Sequence, residues 1–198
     1  PTNGAQALVI VAAILLGVTL PITPVQILWV NMVTAVTLAL ALAFEPAESN
    51  VMQRPPRDPG QPLLSGILLW RIGAVSVLLV IAPLALFQWE VMQHRPVAEA
   101  RTLAVNALVV SEIFYLFNSR YIYGSVLTRA GLLGSRPVLI SIGLMLLLQL
   151  AFTYLPPLQH LMGTEPISPA DWSAVTLAGA AVLLLLEIEK AVWRGLRK

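Results

Sequence analysis

Cysteine is absent from the 198 residues, which excludes a disulfide framework, thiolate metal ligation and thiol redox chemistry. Charge is scarce as well: Asp, Glu, Lys and Arg make up 11% of the chain, where soluble domains carry about 25%. The two histidines, His94 and His160, stand in separate polar segments without ligand partners at metal spacing, and both read as solvated surface groups. There is no glycine-rich phosphate loop, no nucleophile motif and no His/Cys cluster, so these residues alone carry no hydrolytic machinery. The net charge of +2 is small, and no nucleic-acid partner is indicated.

What remains is apolar. Hydrophobic residues make up 58% of the chain and are spread along its whole length, which a single signal peptide does not explain. A helix crossing a bilayer needs about 20 mostly apolar residues. Five segments satisfy this: Val25 to Phe44, Leu63 to Phe87, Thr102 to Phe117, Val138 to Leu155 and Trp172 to Ile188. A sixth, Ala7 to Leu20, is uniformly apolar but would cover only about 21 Å at the helical rise. The expectation is an all-α integral membrane bundle of six transmembrane helices, the first truncated, in a sequence that forms part of a longer protein. Continuous rather than alternating apolar runs exclude a β-barrel.

Basic residues set the orientation. With six spans, only Arg95 and Arg101 of the 12 lysines and arginines fall on one side. Arg54, Arg57, Arg71, Arg120, Arg129, Arg136, Lys190, Arg194, Arg197 and Lys198 fall on the other, so both termini are expected in the cytoplasm. Trp70, Trp89, Trp172 and Trp193 sit near span ends, where amphipathic rings favour the headgroup region. Pro21-Ile-Thr-Pro24 predicts a tight turn joining the first two spans. The proline-rich stretch Glu45 to Pro62 predicts an extended cytoplasmic connection, and Pro156 to Ala170 an external loop.

Ionisable groups are costly in hydrocarbon and by default raise a functional hypothesis. Glu112 is the single acid well inside a span. Ser111, Tyr115 and Asn118 share its neighbourhood at helical spacing and predict one polar stripe. The alternative is a protonated glutamate serving as interhelical glue. Asn31, Thr34 and Thr37, successively three apart, predict one inward sector of oxygen ligands suited to hard cations; hydrogen bonding between helices is again the alternative. Asn3 and Gln6 enter the first span on one face, which would equally suit a polar helix start. Glu187 and Lys190, also three apart, read as a paired anchor at the membrane interface.

Pro24-Val-Gln-Ile-Leu-Trp-Val-Asn-Met-Val-Thr34, continued by Ala41-Leu-Ala-Phe-Glu-Pro46 and Met52-Gln-Arg-Pro-Pro-Arg57, resembles type II P-type ATPases, in which a similar segment forms the sixth membrane helix and the loop after it. Pro1-Thr-Asn3 with Gln6 is similar to the middle of the fifth helix, and Glu112-Ile-Phe-Tyr-Leu-Phe-Asn118-Ser119 to the eighth. The resemblance covers residues 1–198 as a C-terminal cation-transporting membrane domain, helices five to ten.

It implies that Asn3, Gln6, Asn31, Thr34 and Glu112 occupy cation-ligand positions, and that upstream membrane helices and cytoplasmic domains of the same parent chain, with ATP and magnesium, supply the energy. It also implies membrane lipid and the transported cation as partners, and a place in the cell membrane. Two departures bear on the ion. The calcium-pump pattern has an acid where Gln6 stands and an aspartate where Ala35 stands, and its helix-unwinding glycine and proline are replaced by Val36 and Leu38. Losing two charges weakens a divalent site far more than a monovalent one, which favours a monovalent cation or a proton. A non-catalytic membrane scaffold or degenerate pump remnant, and an independent channel or carrier, are the competing readings.

Overall fold

The helices begin where the sequence supplies donors and acceptors for their free ends. Thr23-Pro-Val-Gln26 and Ser168-Pro-Ala-Asp171 are two reciprocal caps built alike. The Thr23 amide donates to Gln26 Oε1 at 3.0 Å and the Gln26 amide to Thr23 Oγ1 at 3.4 Å. The Ser168 amide donates to Asp171 Oδ2 at 2.7 Å and the Asp171 amide to Ser168 Oγ at 3.2 Å. In each, proline takes the first helical position, where its missing N–H would have had no partner.

The computed structural model describes residues 2–44, 66–120, 126–128 and 134–196. The proline-rich connection and the basic residues Arg54, Arg57, Arg129, Arg197 and Lys198 lie outside the described residues. Among those described, seven helices follow one another: α1 (Thr2–Leu15), α2 (Pro24–Thr34), α3 (Gly66–Met92), α4 (Val97–Ser119), α5 (Arg136–Tyr154), α6 (Pro156–Met162) and α7 (Pro169–Leu196). Beyond Thr34, α2 continues through a π-helical turn, Ala35–Ala39, into a last helical turn, Leu40–Ala43. No strand occurs among the described residues. The protein is an all-α membrane helix bundle.

Residues 68–92, 97–119 and 136–154 form helices long and apolar enough to cross a membrane, while α1 and Pro24–Leu38 are apolar but shorter. The fifth expected span lies within α7, which runs 28 residues. Two expectations need correction. The first helix ends at Leu15 rather than near Leu20, because Gly17 adopts φ 64° and turns the chain before the proline pair. The segment after α5, expected as an external loop, is not a loop throughout. Pro156 and Pro157 start the short helix α6, which Gly163 closes in the left-handed conformation, its amide donating to the Gln159 carbonyl at 2.8 Å.

The centre of the bundle is α4. Every residue from Thr102 to Ile113 is buried, as expected of a helix apolar on all sides. It packs against α3 and α7, and α1 leans on α3. Small residues let α4 and α7 approach closely: a Cβ added at Gly179 would stand 2.5 Å from Phe114 Cδ2 and 3.1 Å from Val110 Cγ1. On the other side, α2 meets α5, where Trp29 stacks on Phe152 with ring centroids 5.7 Å apart. Large apolar side chains such as Leu15, Leu28, Ile140 and Leu177 point outward, a face suited to hydrocarbon rather than water.

Candidate functional site

Burial of α4 on all sides puts Glu112 deep in the bundle, 1% exposed, and α1 brings Gln6, 2% exposed, against it. The Gln6 Nε2 group donates to Glu112 Oε1 across a long 3.4 Å. Gln6 Oε1, Glu112 Oε2 and Ser111 Oγ have no hydrogen-bond partner among the described residues. The first two are acceptors only, one a carboxamide oxygen and the other a carboxylate oxygen. Buried acceptors left without a donor cost about 1–3 kcal/mol each, and more for a charged group. A cation, a proton or a water is what such an oxygen calls for.

The other three candidates are placed differently. Asn3 is exposed on α1, where its Oδ1 accepts only a 3.5 Å contact from the Thr2 hydroxyl. Asn31 and Thr34 are half-buried on α2, and the Thr34 hydroxyl donates back to the Val30 carbonyl at 2.7 Å. Among the described residues, none of the three is hydrogen-bonded to Gln6 or Glu112. Thr37, the third residue of the expected sector, lies inside the π-helical turn. It is buried, donates to the Val33 carbonyl at 2.7 Å and lies 3.5 Å from Met145 Sδ of α5.

The predicted polar stripe on α4 divides too. Glu112 meets α1, whereas Asn118 is drawn between α3 and α7. Asn118 Nδ2 donates to Glu187 Oε1 at 2.9 Å, and its Oδ1 accepts from Arg71 Nη2 at 2.9 Å. Lys190 Nζ donates to the Asn118 carbonyl at 2.8 Å and to Glu187 Oε1 at 3.1 Å. Glu187 and Lys190 are therefore paired as expected, and the pair is buried among the helices, 6% and 3% exposed. A three-residue spacing reveals the pair but not the helix it faces.

A further polar chain, which sequence reasoning did not single out, links α2, α4 and α5. Asn106, Gln149 and Thr153 are wholly buried. Asn106 Nδ2 donates to Thr153 Oγ1 at 3.0 Å, and Trp29 Nε1 donates to Gln149 Oε1 at 3.4 Å. Amides inside apolar runs were the signal available for them. Towards the expected external side, Arg95 pairs with Glu99 at 2.7 Å and with Glu90 at 3.3 Å, and the Glu99 bond holds its guanidinium further up and fully charged.

Among the described residues no three His, Cys, Asp or Glu side chains converge. An ion held here would meet one carboxylate and neutral amide or hydroxyl oxygens, the donor set of a hard cation.

A family model described as "Cation transporting ATPase, C-terminus" matches residues 19–192. A protein called "Probable cation-transporting ATPase F" in Mycobacterium tuberculosis is 45% identical over 186 residues, which cover 94% of this chain and 20% of that protein. "Cation-transporting ATPase pma1" of Synechocystis is 33% identical over 187 residues, 89% of this chain and 20% of that protein. A "Calcium-transporting ATPase" of Bacillus subtilis is 33% identical over 202 residues, 93% of this chain and 21% of that protein. The chain spans about a fifth of the length of the curated relatives it matches.

Proposed function

Because the chain belongs to the C-terminal region of the P-type cation-transporting ATPases, we propose that it binds and passes the transported cation of an ATP-driven pump, and that this ion is a monovalent cation or a proton. The observation that carries the reading is the pair of unsatisfied buried acceptors, Gln6 Oε1 and Glu112 Oε2, in the middle of the helical bundle. A single carboxylate can compensate one positive charge in low dielectric. Two positive charges would need a second carboxylate from the upstream membrane helices of the parent chain, since an uncompensated charge costs more as the local dielectric falls.

Asn31 and Thr34 supply further oxygen ligands from α2, and Asn3 from α1. Their half-open faces would be covered by upstream membrane helices of the parent chain. ATP and magnesium would bind in cytoplasmic domains of that parent, and the helix motion they drive would alter the separation of α1 from α4. Both ends of this domain lie in the cytoplasm and the pump in the cell membrane, in keeping with the distribution of arginine and lysine.

The test is transport by the full-length protein in sealed vesicles, with sodium, potassium, calcium and a pH gradient compared side by side. Uptake of a monovalent ion or protons, with calcium neither moved nor required, supports the reading. ATP-dependent calcium uptake, with no response to sodium, potassium or the pH gradient, overturns it in favour of the ion named for the Bacillus subtilis relative.

A further inference from the structure

Glu187, Lys190, Asn118 and Arg71 form a buried polar knot on another face of α4 from the Gln6 contact. Its bonds converge on a few atoms. Glu187 Oε1 accepts from both Asn118 Nδ2 and Lys190 Nζ, while Glu187 Oε2 accepts from the Val126 amide at 3.3 Å. Lys190 also holds the Asn118 carbonyl. Arg71 of α3 reaches Asn118 at 2.9 Å, and its Nε lies 4.0 Å from Glu189 of α7. Lys190 pairs with Glu187 and Arg71 with Glu189, so charges of opposite sign face one another. It ties α3, α4, α7 and the segment at Val126 to one asparagine.

We propose that this knot is a positioning clasp, which fixes the rotation of α4 and thereby the approach of Glu112 to Gln6. Glu112 and Asn118 are six residues apart, about 9 Å along the axis and about 120° around it. Apolar packing leaves the rotation of such a helix to its directional contacts, the Asn106–Thr153 bond towards one end and the bonds at Asn118 towards the other. The bonds at Asn118 hold the end that meets α3 and α7. A turn of about 20° would carry a side-chain tip, about 5 Å from the axis, by nearly 2 Å. The Gln6–Glu112 contact, already 3.4 Å, does not survive that displacement. The clasp touches neither the ion nor its ligands, so Asn118, Glu187 and Lys190 are positioning residues. The inference rests on Glu112 being an ion ligand.

The experiment measures ion-dependent ATP hydrolysis of the full-length protein, with the half-saturating cation concentration and the maximal rate read separately. Asn118→Leu, which removes the central link without adding charge, should raise half-saturation about tenfold, within the range usual for coupled sites, and leave more than half the maximal rate. Lys190→Met alone should reduce the amount of folded protein, since it removes the ammonium that faces the buried Glu187 carboxylate. Adding Glu187→Gln should recover folding while keeping the raised half-saturation. Glu112→Gln serves as the reference. If it is without effect, the ligand reading fails. If it impairs the enzyme but folded Asn118→Leu and the double variant both saturate as the parent does, the clasp is refuted.

Discussion

Replacing Gly179 by alanine tests the packing that holds α4 against α7. The new Cβ would lie 2.5 Å from Phe114 Cδ2, 3.0 Å from Cε2 and 3.1 Å from Val110 Cγ1, whereas carbon pairs are comfortable at about 3.5–4.0 Å. The Phe114 ring must therefore retreat by about 1 Å, and its buried neighbour Val110 limits the room. Overpacking of this kind costs about 1–3 kcal/mol, against which alanine recovers up to about 1 kcal/mol of helix propensity.

Gly143 on α5 is the control, because a Cβ there meets nothing within 4 Å. Gly143→Ala should be neutral or slightly stabilising, and Gly179→Ala should be less stable than it by about 1–3 kcal/mol. The difference is read by denaturant-induced unfolding of the full-length protein in detergent. Adding Phe114→Leu to Gly179→Ala should recover part of the loss, as expected when two substitutions share one cavity. Equal stability of the two alanine variants would refute the close approach of α4 and α7.

Other perturbations follow from the same geometry. Asn106→Leu removes the donor to Thr153 Oγ1 and places a branched apolar side chain in a polar seam; it should lower stability by about 1–3 kcal/mol in the same unfolding assay. Asn31→Ala should weaken ion-dependent phosphorylation of the full-length protein, and normal phosphorylation would count against α2 as a ligand helix. Ala35→Asp restores a charge of the calcium-pump pattern and should shift the ion preference in vesicle transport towards divalent ions, a shift that unchanged selectivity would contradict. Cysteines at Arg136 and His160, both exposed, should react with a membrane-impermeant reagent from opposite sides, and reaction from one side would disprove the topology.

The helical class was legible in the sequence because apolar runs of spanning length leave little choice of structure. Glu112 was legible because an acid inside such a run is rare. Local chemistry at helix ends was readable in principle from Thr23-Pro-Val-Gln26 and Ser168-Pro-Ala-Asp171, whose spacing states the cap. What the sequence could not convey was azimuth. Helical rotation alone puts Asn118 about 120° around α4 from Glu112, but which helices it meets there is settled by Arg71 and Glu187. The π-helical turn that contains Thr37 was not legible either, because no proline or glycine marks it. The burial of Glu187 and Lys190 was hidden because a charged pair near a span end looks alike whether it faces lipid headgroups or another helix.

The central claim is that Glu112 and Gln6 hold the transported ion, and equilibrium binding to the full-length protein tests it most directly. Binding of radiolabelled sodium and potassium is measured for the parent and for Glu112→Gln, with proton release recorded in parallel. The account predicts that Glu112→Gln abolishes high-affinity binding of the transported monovalent ion, or the accompanying proton exchange, while the amount of folded protein in the membrane is unchanged. Unaltered ion binding and unaltered proton exchange in folded Glu112→Gln would contradict it and leave the glutamate as interhelical glue.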